Sequence, residues 1–592
     1  MGLQNLSEWS LARRMRDRSR ERRGSVMKER SERMEAGGPE IADSKDRDGG
    51  KGSALLQGAA LLGLAAIISK LIGTLQKIPL QNLAGDAVFG IYNAVYPLYI
   101  LILVLATAGF PLVVSKFVSE YAAERKYHEA RRVLRVASFS LMGTGIVFFS
   151  LLYFGAEMLA RWMAAPQTAP AIRSVSYALL IVPLMSALRG YYQGYQDMRP
   201  TAWSQVVEQT VRVATMVVLL LVLMRLGLGP EQIAAGATFG SVTGALAGLA
   251  VMLWYWRKER GGEPFQAQAP VGGDGGGWRR DWALAKRLSA YALPLCLGSV
   301  AMPILTLVDS FTMPRLLRSA GFDENEALYQ FGLYNHGLPL VQLVAMIASS
   351  MSAALVPAIA EALRRGDAAA VRARAGLSLR LTWLIGLAAS FGLALLAEPL
   401  NVMFFKSAEG TTAMAVLAFT ALFSAVNIVA ASVLQGLGAV RAPVLYLLLA
   451  AAVKIAASVA LVPRYGIDGA AWASVAAYAL AGGLALAHAL RAAGVPAAGG
   501  LAAMKPMLGI GFMALGLLAV THGVPPLLAR LPAALPPRGT AAVIALGGVA
   551  VGALAYAAAL LRLGVVTAAD LALVPQLAGK PLVWLRRFRL LR

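Results

Sequence analysis

Fourteen runs of roughly 20 predominantly apolar residues succeed one another along this 592-residue chain, and that pattern fixes the class of fold before any other feature is weighed. A helix of that length satisfies its own backbone hydrogen bonds while crossing hydrocarbon, which an irregular segment cannot do. Approximate cores are 54–76, 88–114, 136–156, 172–190, 203–225, 233–255, 288–312, 333–357, 377–397, 412–435, 442–462, 468–490, 502–521 and 540–562. The expectation is an all-α integral membrane protein of about 14 transmembrane helices. With 58% hydrophobic and 15% charged residues, the chain is too apolar for soluble domains of ordinary composition.

The formal net charge of +23 raises nucleic acid as a partner, but the basic residues lie in the N-terminal tail and in short connections, with no aromatic-interleaved basic domain. Connections after segments two (Lys116, Arg125, Lys126, Arg131, Arg132), six (Arg257, Lys258, Arg260, Arg279, Arg280) and eight (Arg364, Arg365, Arg372, Arg374) are strongly basic. Those of opposite parity are not: Lys77 with Asp86 after segment one, Lys406 with Glu398 and Glu409 after segment nine. Both termini are therefore expected to be cytoplasmic, and membrane lipid is an expected partner while nucleic acid is not. Residues 1–53 lack the apolar core of a cleaved signal and read as a disordered basic cytoplasmic tail or a start-site artefact. The other reading of the tail is a lipid-surface helix through Leu6, Trp9, Leu11 and Met15. Cys296 is the single cysteine, so no intramolecular disulfide forms.

A duplication organises the segments. Phe89-Gly90-Ile91-Tyr92-Asn93 returns as Phe331-Gly332-Leu333-Tyr334-Asn335, displaced by 331 − 89 = 242, and each copy is followed by Pro-Leu at Pro97-Leu98 and Pro339-Leu340. Gln193-Gly194 with Arg199 returns as Gln435-Gly436 with Arg441 at the same displacement; Glu120 with Glu361, Arg131 with Arg372, and Glu157 with Glu398 echo one another at 241. Segments one to six and seven to twelve are then two copies. Six being even, both enter the membrane in the same sense and form parallel six-helix repeats. The expected organisation is a bundle at 54–256, a cytoplasmic linker at 257–287 rich in Gly from Gly261 to Gly277, a second bundle at 288–490, and two extra helices with a basic tail at 491–592. Gly236, Gly240, Gly244 and Gly248 line one face of segment six and mark close helix packing.

Enzyme chemistry finds no footing. His128, His336, His488 and His522 are scattered without metal-ligand spacing, and a GxxxxGK[ST] loop is missing, so no catalytic residue, metal or cofactor is expected. The informative residues are ionisable ones inside apolar runs. Lys70 and Lys77, seven apart, share one face of segment one and are candidates to bind an anionic headgroup; for Lys77, snorkelling to the interface is the competing account. Glu208 and Arg212 face one another at i and i+4 in segment five, either as a neutralised structural pair or as an ion-coupling carboxylate beside a substrate-binding guanidinium. Asp309 is the matching acid of segment seven and a second ion-coupling candidate. Lys454 takes the repeat position of Arg212 and is a further substrate-binding candidate. Tyr92, Asn93, Tyr334 and Asn335 are candidates for an outer gate, with an aromatic belt anchor and Asn cap as the other reading; His336 reads as incidental.

Three stretches resemble the polysaccharide-biosynthesis branch of the flippases allied to multidrug and toxin extruders. They are Gly109-Phe-Pro111-Leu-Val-Val-Ser115-Lys116-Phe-Val-Ser119-Glu120, Arg189-Gly190-Tyr-Tyr-Gln193-Gly194, and Pro200-Thr201-Ala-Trp-Ser204-Gln205-Val-Val-Glu208-Gln209. Ser69-Lys70-Leu-Ile-Gly73 with Lys77-Ile-Pro79, and Val308-Asp309 with Pro314-Arg315, resemble first- and seventh-helix motifs of the stage V sporulation protein B group and its lipid II flippase relatives. The resemblance implies a MATE-like (multidrug and toxin extruder) arrangement, alternating access through a central cavity in a bacterial plasma membrane, and a polyprenyl-pyrophosphate-linked saccharide as cargo. It covers residues 54 to about 490 well and the last two helices only in general character. The first-helix positions hold Lys70, Gln76 and Lys77 where lipid II flippases generally carry arginines, so phosphate would be met by point charges instead of guanidinium forks. The alternative function is an H+ or Na+ coupled multidrug exporter on the same fold, which would want acidic cavity walls.

Overall fold

The computed structural model describes residues 42–107, 109–259, 277–496, 501–528, 530 and 535–567, and all regular structure among them is helical. The first half contains α1 (Ala42–Leu75), α2 (Lys77–Thr107), α3 (Phe110–Ala123), α4 (Tyr127–Trp162), α5 (Ala169–Ser176), α6 (Val182–Gly194), α7 (Arg199–Arg225) and α8 (Pro230–Glu259). The second contains α9 (Gly277–Ser319), α10 (Glu324–Tyr334), α11 (Gly337–Arg364), α12 (Ala368–Leu395), α13 (Ala397–Phe405), α14 (Thr411–Leu417), α15 (Phe419–Gly436) and α16 (Arg441–Ala492). Last come α17 (Leu501–Leu528) and α18 (Pro537–Arg562). Each of the fourteen apolar cores falls on one of these helices or on a consecutive pair.

Among the described residues, eleven helical stretches are long and apolar enough to cross a membrane, and two of them contain a reversal of the chain. At 52 residues, α16 would run to about 78 Å if straight, far beyond a hydrocarbon layer of about 30 Å. It turns back after Pro463 at Gly466, whose φ of 55° favours glycine, and the two arms come so close that a Cβ on Gly469 would lie 2.4 Å from the Leu461 carbonyl oxygen. Gly85, at φ 79°, breaks α2 in the same way, and the returning chain brings Tyr92 back to Gln76. Side chains such as Phe139, Phe154 and Leu554 stand more than 70% exposed on the outer faces, as lipid-facing residues do. This is a multi-pass membrane protein.

The first half packs as one apolar cluster that takes in Phe89, Tyr92, Phe117, Leu141, Ile172 and Met185. The glycine stripe of α8 lets α7 approach to backbone contact: Cβ atoms added at Gly240 and Gly244 would lie 2.6 Å and 2.7 Å from the carbonyl oxygens of Arg212 and Glu208. Helices α17 and α18 lean on the second half, where the Tyr556 hydroxyl donates to the Leu384 carbonyl at 3.1 Å and Arg538 Nε to that of Met403 at 2.9 Å.

Two boundaries differ from the sequence reading. The first helix extends back to Ala42, into the polar stretch assigned to the disordered tail. Charged residues do not of themselves interrupt a helical ladder, so composition alone misplaces such an end. Likewise α9 begins at Gly277, inside the stretch assigned to the linker, and carries Arg279, Arg280, Lys286 and Arg287 beside Trp278 and Trp282. Residues 1–41, the linker from Gly261 to residue 276, Pro532 and the C-terminal Arg586, Arg587, Arg589 and Arg592 lie outside the described residues, as does the Cys296 side chain.

Candidate functional site

Helix α7 begins with Arg199-Pro200, where proline fits the first helical turn without losing a hydrogen bond, and it presents Ser204, Glu208 and Arg212 one turn apart. The Glu208 carboxylate is shared. Its Oε1 accepts from Arg212 at 3.3 Å and its Oε2 from Arg189 of α6 at 2.8 Å; Arg189 also donates to Ser204 Oγ at 2.8 Å. All three charged groups are largely buried, so two guanidinium groups face one carboxylate and the cluster keeps a net positive charge. The pairing of Glu208 with Arg212 was legible from their spacing, whereas the part of Arg189, which completes this cluster from another helix, was not.

A ladder of tyrosines links the cluster to the first helix. Arg212 donates to the Tyr96 hydroxyl at 3.4 Å, Tyr96 stacks on Tyr92 with ring centroids 5.3 Å apart, and the Tyr92 hydroxyl accepts from Gln76 Nε2 at 3.3 Å. A Cβ on Gly73 would lie 3.3 Å from Gln209 Oε1, so the end of α1 meets the Gln209 side chain of α7. Lys77 is only 6% exposed, and among the described residues its ammonium has no hydrogen-bond or ion-pair partner. Lys70 is exposed and equally without an ion-pair partner among them. Ser69 Oγ, Gln76 Oε1, Gln205 Oε1, Gln209 Oε1, Tyr99 Oη and Arg212 Nε are buried here without a protein partner. Buried polar atoms are ordinarily paired, so this group of unpaired ones about α1, α2 and α7 stands out, although Asp309 Oδ1, Ser310 Oγ, Asn427 Oδ1 and Ser458 Oγ of the second half are unpaired too.

The second half repeats the plan with its charges balanced. Lys454 is 2% exposed; its Nζ donates to Asp309 Oδ2 at 2.7 Å and to the Leu305 carbonyl at 2.9 Å. Tyr334 donates to Asp309 Oδ2 at 3.1 Å and lies 2.7 Å from Ser474 Oγ. The repeat mate of Lys454 is Arg212, but the residue 309 − 242 = 67 is Ile67, so the first half has no acid where the second has Asp309. The result is an asymmetric interior: Lys77 and the Arg189–Glu208–Arg212 cluster leave the first half with surplus positive charge even with the buried Asp86 counted, while Lys454 and Asp309 balance in the second.

The two copies of the repeated motif meet face to face. A Cβ on Gly90 would lie 1.9 Å from the Leu328 carbonyl oxygen, and one on Gly332 would lie 2.1 Å from that of Asp86. Those partners are themselves related by 328 − 86 = 242, so α2 and α10 cross about the pseudo-two-fold axis with backbone against backbone. Tyr92, Asn93, Tyr334 and Asn335 are all buried at this crossing, and each Asn donates to the Phe carbonyl four residues back, at 2.8 Å for Asn93 and 2.7 Å for Asn335. Other bonds between the halves gather on the same side: Gln167 to Asn325 at 2.6 Å, Arg315 to the Trp162 carbonyl at 2.8 Å, and Asn82 to that of Phe404 at 2.5 Å. At the opposite end, Arg132 binds Asp281 at 2.6 Å on the overhanging start of α9. His336, set aside in the sequence as incidental, is fully buried at the motif crossing and lies 2.6 Å from Asp86 Oδ1.

Residues 55–363 match the family described as polysaccharide biosynthesis protein. The chain belongs to that family. Among relatives of this polysaccharide biosynthesis family, an uncharacterized membrane protein of Bacillus subtilis, YabM, is 33% identical over 88% of this chain and 94% of its own length. The lipid II flippase MurJ of Bacillus subtilis is 30% identical over 72% of this chain and 80% of its own length. Among solved structures, an inward-facing multidrug resistance MATE family transporter of the MOP superfamily superposes with a TM-score of 0.59 at 14% identity, covering 72% of this chain and 94% of that one. The fold is thus the MATE-like pair of six-helix repeats with two added helices, and of the named proteins one is a lipid II flippase and one a multidrug transporter.

Proposed function

We propose that this protein is a flippase that moves a polyprenyl-pyrophosphate-linked saccharide, a cell-wall or polysaccharide precursor, from the inner to the outer leaflet of a bacterial plasma membrane by alternating access. The observation that carries this reading is the small surplus of positive charge inside the first half: Lys77, the part-buried Arg189 and Arg212 against Glu208 and, at the motif crossing, Asp86. An unpaired buried cation is costly, and it persists where an anionic ligand supplies the missing charge during function. A pyrophosphate carries that charge; a cationic drug would meet repulsion, which weighs against the multidrug alternative.

Lys77 and Lys70 bind the phosphates as point charges and Arg212, whose Nε is unpartnered, orients them through a directional donor. The saccharide meets the unpaired amide and hydroxyl groups of Gln76, Gln205, Gln209 and Tyr99. Lys454 and Asp309 hold the second half together, and a substrate-binding role for Lys454 or a coupling role for Asp309 or Glu208 requires the respective pair to separate during the cycle. The crossing of the two repeated motifs closes one face, taken as the outer one from the distribution of basic connections. The first half (54–256) rocks against the second (288–490) about it.

The test is export of the lipid-linked precursor in a strain that depends on this protein. Lys77→Ala is expected to reduce export at least ten-fold at equal protein level, while Lys77→Arg retains it. Normal export by Lys77→Ala sinks the proposal.

A further inference from the structure

Away from the cationic wall, His336 lies at the break between α10 and α11 with its ring stacked on Phe405, centroids 4.2 Å apart and planes inclined by 7°. Nε2 faces Asp86 Oδ1 of the first half at 2.6 Å, and Nδ1 faces Asn401 Oδ1 of the second at 2.8 Å. The amide of Asn401 is not free to flip. Its Nδ2 donates to the Glu409 carbonyl at 2.8 Å and to Thr411 Oγ1 at 3.2 Å, and that hydroxyl gives its own hydrogen to the Ala408 carbonyl at 2.6 Å. Both ring nitrogens therefore point at acceptors. A neutral imidazole has one N–H and one lone pair, so either tautomer leaves an acceptor against an acceptor at hydrogen-bond distance. One additional proton, on the ring or on the Asp86 carboxyl, satisfies both contacts.

We propose that His336, Asp86 and Asn401 form a proton-binding latch between the halves: a proton taken up between Nε2 and Oδ1 holds the motif face closed, and its release to water lets that face open. Asp86 is well placed for this, since its backbone carbonyl is also the atom against which Gly332 packs. The titratable and polar surroundings come from every adjoining element. Gln81 of α2 donates to both Asp86 oxygens, at 3.1 Å and 3.2 Å. Glu409, exposed in the connection after α13, accepts from the Tyr329 hydroxyl of α10 at 2.8 Å; Glu326 of α10 is held by Gln330. Lys77 stands on α2 before the Gly85 break, and Lys406 after α13 is exposed to solvent.

A proton held in the closed state and not in the open one raises the closed-to-open ratio as pH falls, by at most about ten-fold per pH unit. The idea rests on the carrier reading only for the existence of an opening step, and its test uses no cargo, so it stands or fails apart from the identity of the lipid. Spin labels at Glu124→Cys and Arg364→Cys, near the ends of α3 and α11 away from the motif, are placed in a Cys296→Ala background in lipid nanodiscs. The distance distribution is then read between pH 5.5 and 8.5. The long-distance population is expected to fall by about ten-fold or more relative to the short one as pH rises. In Asp86→Asn, whose amide can donate to Nε2 of a neutral ring while its oxygen still accepts from Gln81, and in His336→Gln, the distribution is expected to be independent of pH. A wild-type distribution that does not change with pH, or variants that keep the wild-type response, overturns the latch. Should His336→Gln fail to fold, the wild-type series and Asp86→Asn decide alone.

Discussion

Substituting Gly332 by alanine drives a methyl group into the crossing of the two motifs. The new Cβ would lie 2.1 Å from the Asp86 carbonyl oxygen, while ordinary contact begins near 3.4 Å, so the helices must part by about 3.4 − 2.1 = 1.3 Å. Backbone cannot swing aside as a side chain does, and overpacking of this kind costs about 1–3 kcal/mol. The intrinsic gain in helix propensity, about 0.5–1 kcal/mol, is present in both states and cancels. The closed-to-open ratio of the motif face should therefore fall by about 5- to 150-fold. Gly90→Ala, whose Cβ would lie 1.9 Å from the Leu328 carbonyl, should act the same way because the crossing is symmetric. The assay is the spin-label pair described above at fixed pH, with yield and melting temperature as controls. An unchanged closed population in both variants would refute the account of the crossing.

Breaking the buried pair of the second half by Asp309→Asn leaves the Lys454 ammonium without its counter-charge; a loss of about 3–5 kcal/mol is expected, read as a lowered melting temperature, and Asp309→Leu with Lys454→Met should recover most of it. Tyr556→Phe removes the donor from α18 to the Leu384 carbonyl and should cost about 1 kcal/mol with little effect on transport, measured by thermal unfolding in detergent. Arg189→Gln leaves Glu208 with Arg212 alone, lowers the positive charge of the wall, and should weaken binding of a pyrophosphate-bearing lipid in proportion to salt screening, measured by titration at two ionic strengths.

The sequence made the spans legible because a bilayer demands a long apolar run for every crossing, and no packing preference can override that demand. The duplication was legible because Phe-Gly-hydrophobic-Tyr-Asn is retained in both copies; the structure gives the reason, since Gly90 and Gly332 each accept the other half's backbone. Spacing found the Glu208–Arg212 pair, as both residues lie on one helix. It did not find Arg189, which reaches Glu208 from another helix 19 residues away, or the partnership of Asp309 with Lys454, 145 residues apart. His336 and Asp86 were invisible for the same reason. Neither belongs to a periodic pattern, and their meeting is created by the crossing of the halves 250 residues apart.

The central claim is that the cationic wall carries a pyrophosphate-linked lipid across the bilayer. Purified protein in proteoliposomes, supplied with a polyprenyl-pyrophosphate-linked saccharide whose headgroup is accessible to an added hydrolase only from outside, measures that claim directly. The wild type should speed exchange of headgroups between leaflets, Lys77→Ala should slow it at least ten-fold, and inorganic pyrophosphate should compete. Exchange that is indifferent to Lys77 and pyrophosphate, or transport of a cationic dye in place of the lipid, would contradict the account.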